Sequence, residues 1–149
     1  MADKIHTPLT APAWRMALCA LRHTCVETAP GDEAGCVRLL HELLGLAPMA
    51  VRLGGVQLPD SMRLERLIAA DACDSAVLAM LNQGSGYIVS SSGDGGFLAT
   101  VALPGQDGDT HVAGASLALA LAAALIDAVL EANTAGGALS ITAATHLIH

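Results

Sequence analysis

Apolar residues recur at helical spacing through the first third of the chain. Trp14, Ala17, Leu18, Leu21 and Cys25 share one face of a helix from Pro12 to about Glu27. "TAPGDEAG" breaks that pattern, with Asp32 placed to cap a second helix and Glu33 suited to its first turn. Cys36, Leu39, Leu40, Leu43 and Leu44 then form an apolar stripe that ends at Gly45. A short turn between two such helices predicts an antiparallel αα-hairpin.

Residues 46–60 carry two prolines and a Gly pair, which mark a linker with a short extended piece at 50–53. Asp60 or Ser61 can cap a helix through Leu64, Leu67 and Ile68, and Asp71 or Asp74 can restart it. Cys73, Val77, Met80 and Leu81 share the next face, until Asn82–Gln83–Gly84 stops it; one kinked helix and two separate ones both fit. Tyr87–Ile88–Val89 and Phe97–Leu103 are extended runs around "SSSGDGG". In the second run Phe97, Ala99, Val101 and Leu103 face one way, and Leu98, Thr100 and Ala102 the other. "PGQDGDTHVAG" reads as a loop, and an Ala/Leu helix over 113–132 follows, ended by Gly136–Gly137. The tail "ALSITAATHLIH" reads either as a third strand or as a loose end.

These elements predict an α+β fold. An N-terminal lead-in and αα-hairpin occupy residues 1–58, and a small α-β-β-α sandwich with an antiparallel hairpin occupies 59–149.

Helix, then "GSGYIVSSSGDGGFLATVALPG", then an acidic loop with His111, then "ASLALALAAALIDAV" resembles the bacteriophage ABA-sandwich domain. The resemblance covers about residues 70–132 and rests on the order and spacing of elements. Tyr87 and Phe97 stand at strand positions where that family is expected to carry tryptophan, and the N-terminal hairpin has no counterpart in it. The resemblance implies a phage or prophage origin and an α-β-β-α module. It implies no activity and no catalytic residues.

Composition narrows the function classes. Of 149 residues, 53% are hydrophobic and only 14% charged, so a packed domain is expected. Residues 1–58 balance five bases with five acids, whereas 59–149 set Arg63 and Arg66 against nine acids, which accounts for the net −7. No basic residue follows Arg66, and Trp14, Tyr87 and Phe97 are the only aromatics, which argues against nucleic-acid binding. "MADKIHTPLTAPAW" lacks the apolar core of a signal peptide, so the cytoplasm is the expected location. There Cys19, Cys25, Cys36 and Cys73 are expected as thiols. Residues 112–130 are apolar except for Ser116 and Asp127, but they are alanine-rich and lack basic flanks, so a buried helix is expected in preference to a membrane span.

The candidate chemistry is thin. A phosphate loop needs a lysine and a following helix, whereas "SSSGDGGF" has neither and supplies the positive φ of a hairpin turn. Cys19, His23, Cys25, Cys36 and His41 are zinc-ligand types but miss the tight knuckle spacing. Asp107, Asp109 and His111 lack the further ligands of a calcium loop. Ser90, Ser91, Ser92 and Cys73 stand in no nucleophile elbow, and His146 and His149 fall in the tail. No catalytic, cofactor-binding or metal-ligating residue is assigned. The expected function is therefore a non-enzymatic interaction module: a homodimer that completes its sheet or buries the Ala/Leu helix, with a host or phage protein as a further partner. A small-ligand-binding counter-defence factor is the alternative, and a membrane-active protein the third.

Overall fold

The structure is a computed structural model. It describes residues 9–148, with side chains described as far as Asn133. The fold is α+β: five helices among the described residues pack around a three-stranded antiparallel sheet.

Helix α1 spans Ala11–Glu27 and α2 spans Glu33–Gly45. Thr10 caps α1 by accepting the Ala13 N–H, and Pro12 sits in its first turn, where a missing N–H costs nothing. The stripe Trp14, Leu18, Leu21 and Cys25 is buried. In α2 the buried set includes Val37, whereas Leu39 is 42% exposed; α2 packs on α1, α4 and α5. Asp32 makes no side-chain cap; Glu33 Oε1 instead accepts the Gly31 N–H at 3.0 Å.

The next helical stretch divides in two. Helix α3 spans Ser61–Ala69, capped by Asp60 through the Arg63 N–H, and α4 spans Cys73–Leu78. Asp71 adopts φ of 60°, a left-handed conformation no helix can carry through, which separates them. Helix α4 ends at Leu78, before the expected stop, and Leu81 bridges to Val56. No strand forms at 50–53; the linker is held instead by that bridge and by hydrogen bonds such as those of the Arg52 backbone with the Asn133 side chain.

Strands β1 (Gly86–Ser91), β2 (Phe97–Ala102) and β3 (Val112–Gly114) lie in the order β1-β2-β3. Tyr87 pairs with Val101, Ile88 with Thr100 and Val89 with Ala99, so the register of the β1–β2 hairpin is continuous. The third strand corrects two expectations. Residues 112–114 belong to the sheet, paired as Ala99↔Val112 and Phe97↔Gly114, and the following helix, α5, begins at Leu117. Ser116 starts it, accepting the Leu119 N–H on its hydroxyl. Helix α5 then runs to Ile148, so Gly136–Gly137 do not end it and the tail is neither strand nor loose end.

From Ala118 to Val129 helix α5 is largely buried, because it packs on α1, α2, α4, β2 and β3; its Ala/Leu face is thus covered within one chain. Leu119, Leu121, Leu125, Ile126 and Val129 are fully buried, and the buried side chains from Trp14 to Val129 form one core. Among the described residues no helix is long and apolar enough to cross a membrane. Small residues set the spacing of the layers. A Cβ at Gly114 would lie 2.6 Å from the Ala120 nitrogen, so β3 lies directly on the first turn of α5.

Candidate functional site

The sheet is half covered. Helix α5 lies behind β2 and β3, and Ala99, Val101, Leu103 and Val112 face it and are buried. β1 is one edge of the sheet, with the short β3 at the other, and all six residues of β1 are exposed. Tyr87 and Val89 follow Val101 and Ala99 onto the helix-side face, yet remain 49% and 36% exposed. Ile88 lies on the opposite face, 72% exposed, beside Leu98, which is 37% exposed. These four side chains form a continuous apolar rim on both faces of one edge. No charged residue occurs between Asp74 and Asp94. The devices that commonly guard an edge strand, lysine, proline or a bulge, are all missing from β1.

The backbone of β1 is equally open. The Ser92 N–H donates to the Gly96 carbonyl at 2.8 Å, which makes Ser92↔Gly96 a hydrogen-bonded pair. Antiparallel ladders alternate bonded and non-bonded pairs. Gly86, Ile88 and Ser90 therefore direct their N–H and C=O groups to β2, while Tyr87, Val89 and Ser91 direct theirs to the free edge.

The "SSSGDGG" segment is the turn of this hairpin. Gly95 adopts φ of 93° and its N–H donates to the Ser92 carbonyl at 3.3 Å. Asp94 Oδ1 accepts the Ser92 hydroxyl at 2.5 Å and the Gly96 N–H at 3.2 Å. Those two hydrogen bonds, that from Ser92 first, hold the Asp94 carboxyl below the ordinary range. The turn's amide is thus satisfied by the turn's own carboxylate, and a strand, not a helix, follows it.

The remaining candidates are dispersed. Cys19 and His23 are exposed on α1, whereas Cys25 and Cys36 are buried where α1 meets α2. Burial pushes the Cys25 thiol up to about 12, with the neighbouring Cys36 adding to the effect. Thr28 Oγ1 lies 3.5 Å from Cys36 Sγ. His41 Nε2 donates to the Pro59 carbonyl at 2.6 Å and so ties α2 to the linker. Cys73 is buried on α4, and burial raises its thiol as well. Among the described residues no three His, Cys, Asp or Glu side chains are grouped to hold a metal. Asp107 and Asp109 are exposed in the β2–β3 loop, and His111 Nδ1 pairs with the buried Thr100 hydroxyl at 2.6 Å. Ser90 and Ser91 are exposed on β1. The side chains of His146 and His149 lie outside the described residues.

The exposed apolar residues are Tyr87, Ile88 and Val89, just before the glycine-rich centre. Their signal in the sequence is the run from 75 to 93 without a charge. No family model, no curated protein and no solved structure matches this chain.

Proposed function

We propose that this chain is a non-enzymatic interaction module that acts as a homo-oligomer, most simply a dimer, through the open edge of its sheet. The observation that carries this reading is β1: exposed along its length, apolar on both faces and free of charge. An edge of this kind recruits a further strand, because its backbone groups are unpaired and its side chains lose contact with water on pairing. The resemblance to the phage ABA-sandwich domain supports a phage- or prophage-encoded role in the cytoplasm, with a host or phage protein as the wider target of the assembled module.

Sedimentation velocity across about 10 to 300 micromolar tests this, a range suited to an interface much smaller than the standard size. A mass that rises to twice the chain mass is expected. Ile88→Lys is expected to hold the protein at the chain mass with an unchanged circular dichroism spectrum. A chain mass throughout for the unaltered protein removes the reading.

A further inference from the structure

We propose that the occupant of the β1 edge is a second copy of this chain, paired antiparallel about a two-fold axis that sets Ile88 opposite Ile88 of the other copy. This rests on the homo-oligomer reading and adds its register.

The backbone restricts the choices first. Only Tyr87, Val89 and Ser91 present N–H and C=O groups to the free edge. In an antiparallel ladder these must meet one another across the axis, because a bonded residue opposite a non-bonded one satisfies neither. Three central registers remain: Tyr87 opposite itself, Ile88 opposite itself, or Val89 opposite itself.

Side chains then decide. Tyr87 opposite itself places Ile88 across from Gly86 and Val89 across from Ser85. Val89 opposite itself places Ile88 across from Ser90 and Tyr87 across from Ser91. Ile88 opposite itself is the one register of the three that gives Tyr87, Ile88 and Val89 each an apolar partner. It sets Tyr87 against Val89 twice on the helix-side face, as bonded pairs. On the other face the two Ile88 side chains meet at a non-bonded position, where opposed side chains stand closest. Leu98 lies diagonally behind each Ile88, which extends the strip across both copies.

Charge favours a copy over a foreign strand. The edge offers nothing for an acidic or basic partner to pair with, whereas a second neutral edge brings no charge to desolvate. Within the antiparallel arrangement the two Asp94 carboxylates lie at opposite ends of the paired strands, so the chain's acidity does not oppose the contact at its centre. The contact is short, since β1 has six residues and a standard interface has roughly 20–30 a side, so association in the micromolar range is expected.

Single cysteines test the register. In a Cys19→Ser background, which removes the exposed native thiol, Ile88→Cys, Tyr87→Cys and Val89→Cys are oxidised in parallel, with mass measured beforehand. Opposed non-bonded residues have Cα atoms about 4.5 Å apart, within disulfide reach, so I88C is expected to form the covalent dimer at least about tenfold faster than the other two. A faster Y87C or V89C, or a dimeric mass with no crosslink at any of the three, overturns the register but leaves the homo-oligomer reading standing. A chain mass in the unoxidised background protein overturns both.

Discussion

Arg22 on α1 and Asp127 on α5 meet across 105 positions of sequence, the guanidinium Nε donating to the carboxylate at 2.5 Å. Asp127 is the only charged residue in the run from Val112 to Leu130. Its partner explains its presence: a carboxylate beside a core is tolerated when a fixed cation faces it. Both side chains keep some contact with water, at 36% and 23% exposure, so the pair itself contributes modestly. A double-mutant cycle with Arg22→Ala and Asp127→Ala is expected to give a coupling of about 0.5–1 kcal/mol in urea unfolding. The single changes are expected to differ. Losing Arg22 leaves a carboxylate unpaired beside the core and costs more than losing Asp127, which leaves a cation able to turn to water.

The packing of β3 on α5 makes opposite forecasts for two glycines. Gly114→Ala forces a Cβ to within 2.6 Å of the Ala120 nitrogen and 2.9 Å of its Cα, both backbone atoms that cannot swing aside. A loss of about 1–3 kcal/mol is expected in thermal or urea melts. Gly35→Ala, on an exposed position inside α2 with nothing within 4 Å, is expected to stabilise by about 0.5–1 kcal/mol. Equal effects of the two changes would show that layer spacing is not set by Gly114.

Trp14 is fully buried and its indole N–H donates to the Leu43 carbonyl at 2.7 Å, joining α1 to the end of α2. That carbonyl also accepts the Leu46 N–H at 3.1 Å, so Trp14→Phe leaves no orphaned acceptor. The expected cost is therefore mainly the vacated volume, about 2 kcal/mol. As the chain's one tryptophan, its emission is expected to be blue-shifted in the folded state and to move red on unfolding.

Thiol chemistry separates the cysteines. Cys19 is exposed and the other three are buried, so one thiol per chain is expected to react quickly with an aromatic disulfide reagent and three only after denaturation.

Alkaline pH probes the same burial. The Cys25 thiol is held at about 12, against an ordinary value of 9.0. The folded state thus prefers the neutral thiol. Its contribution is intact below pH 9 and is lost progressively as pH rises from 9 toward 12, where the unfolded chain ionises first. Cys73, raised in the same direction by burial, adds to the decline. Melting temperature followed over this range is expected to fall less steeply for Cys25→Ala than for the unaltered chain; parallel curves would show that Cys25 does not drive the decline.

Much of this fold was legible because its signals are local. The stripe of α1, the turn at residues 28–32, the Asp60 cap and the alternation along Phe97–Leu103 each depend on neighbours a few residues apart. The break at Asp71 and the extent of α5 were not. The first depends on one residue's backbone conformation, and in the second a glycine pair, locally a stop signal, lies within a continuing helix. The candidate site was half legible. The hairpin and its turn could be read from the sequence, but local alternation does not say that Tyr87, Ile88, Val89 and Leu98 stay exposed.

Sequence alone determined the helices' apolar faces, the β1–β2 hairpin and the acidity of the C-terminal half, because periodicity and turn chemistry act over a few residues. Tertiary structure decided that Val112–Gly114 joins the sheet, that Asp127 finds Arg22, and that α5 covers β2 and β3 while β1 stands open at the edge. Those outcomes depend on which distant surfaces meet. Pairing and burial are set by the whole core, and an apolar residue's own neighbours do not say whether a helix will cover it.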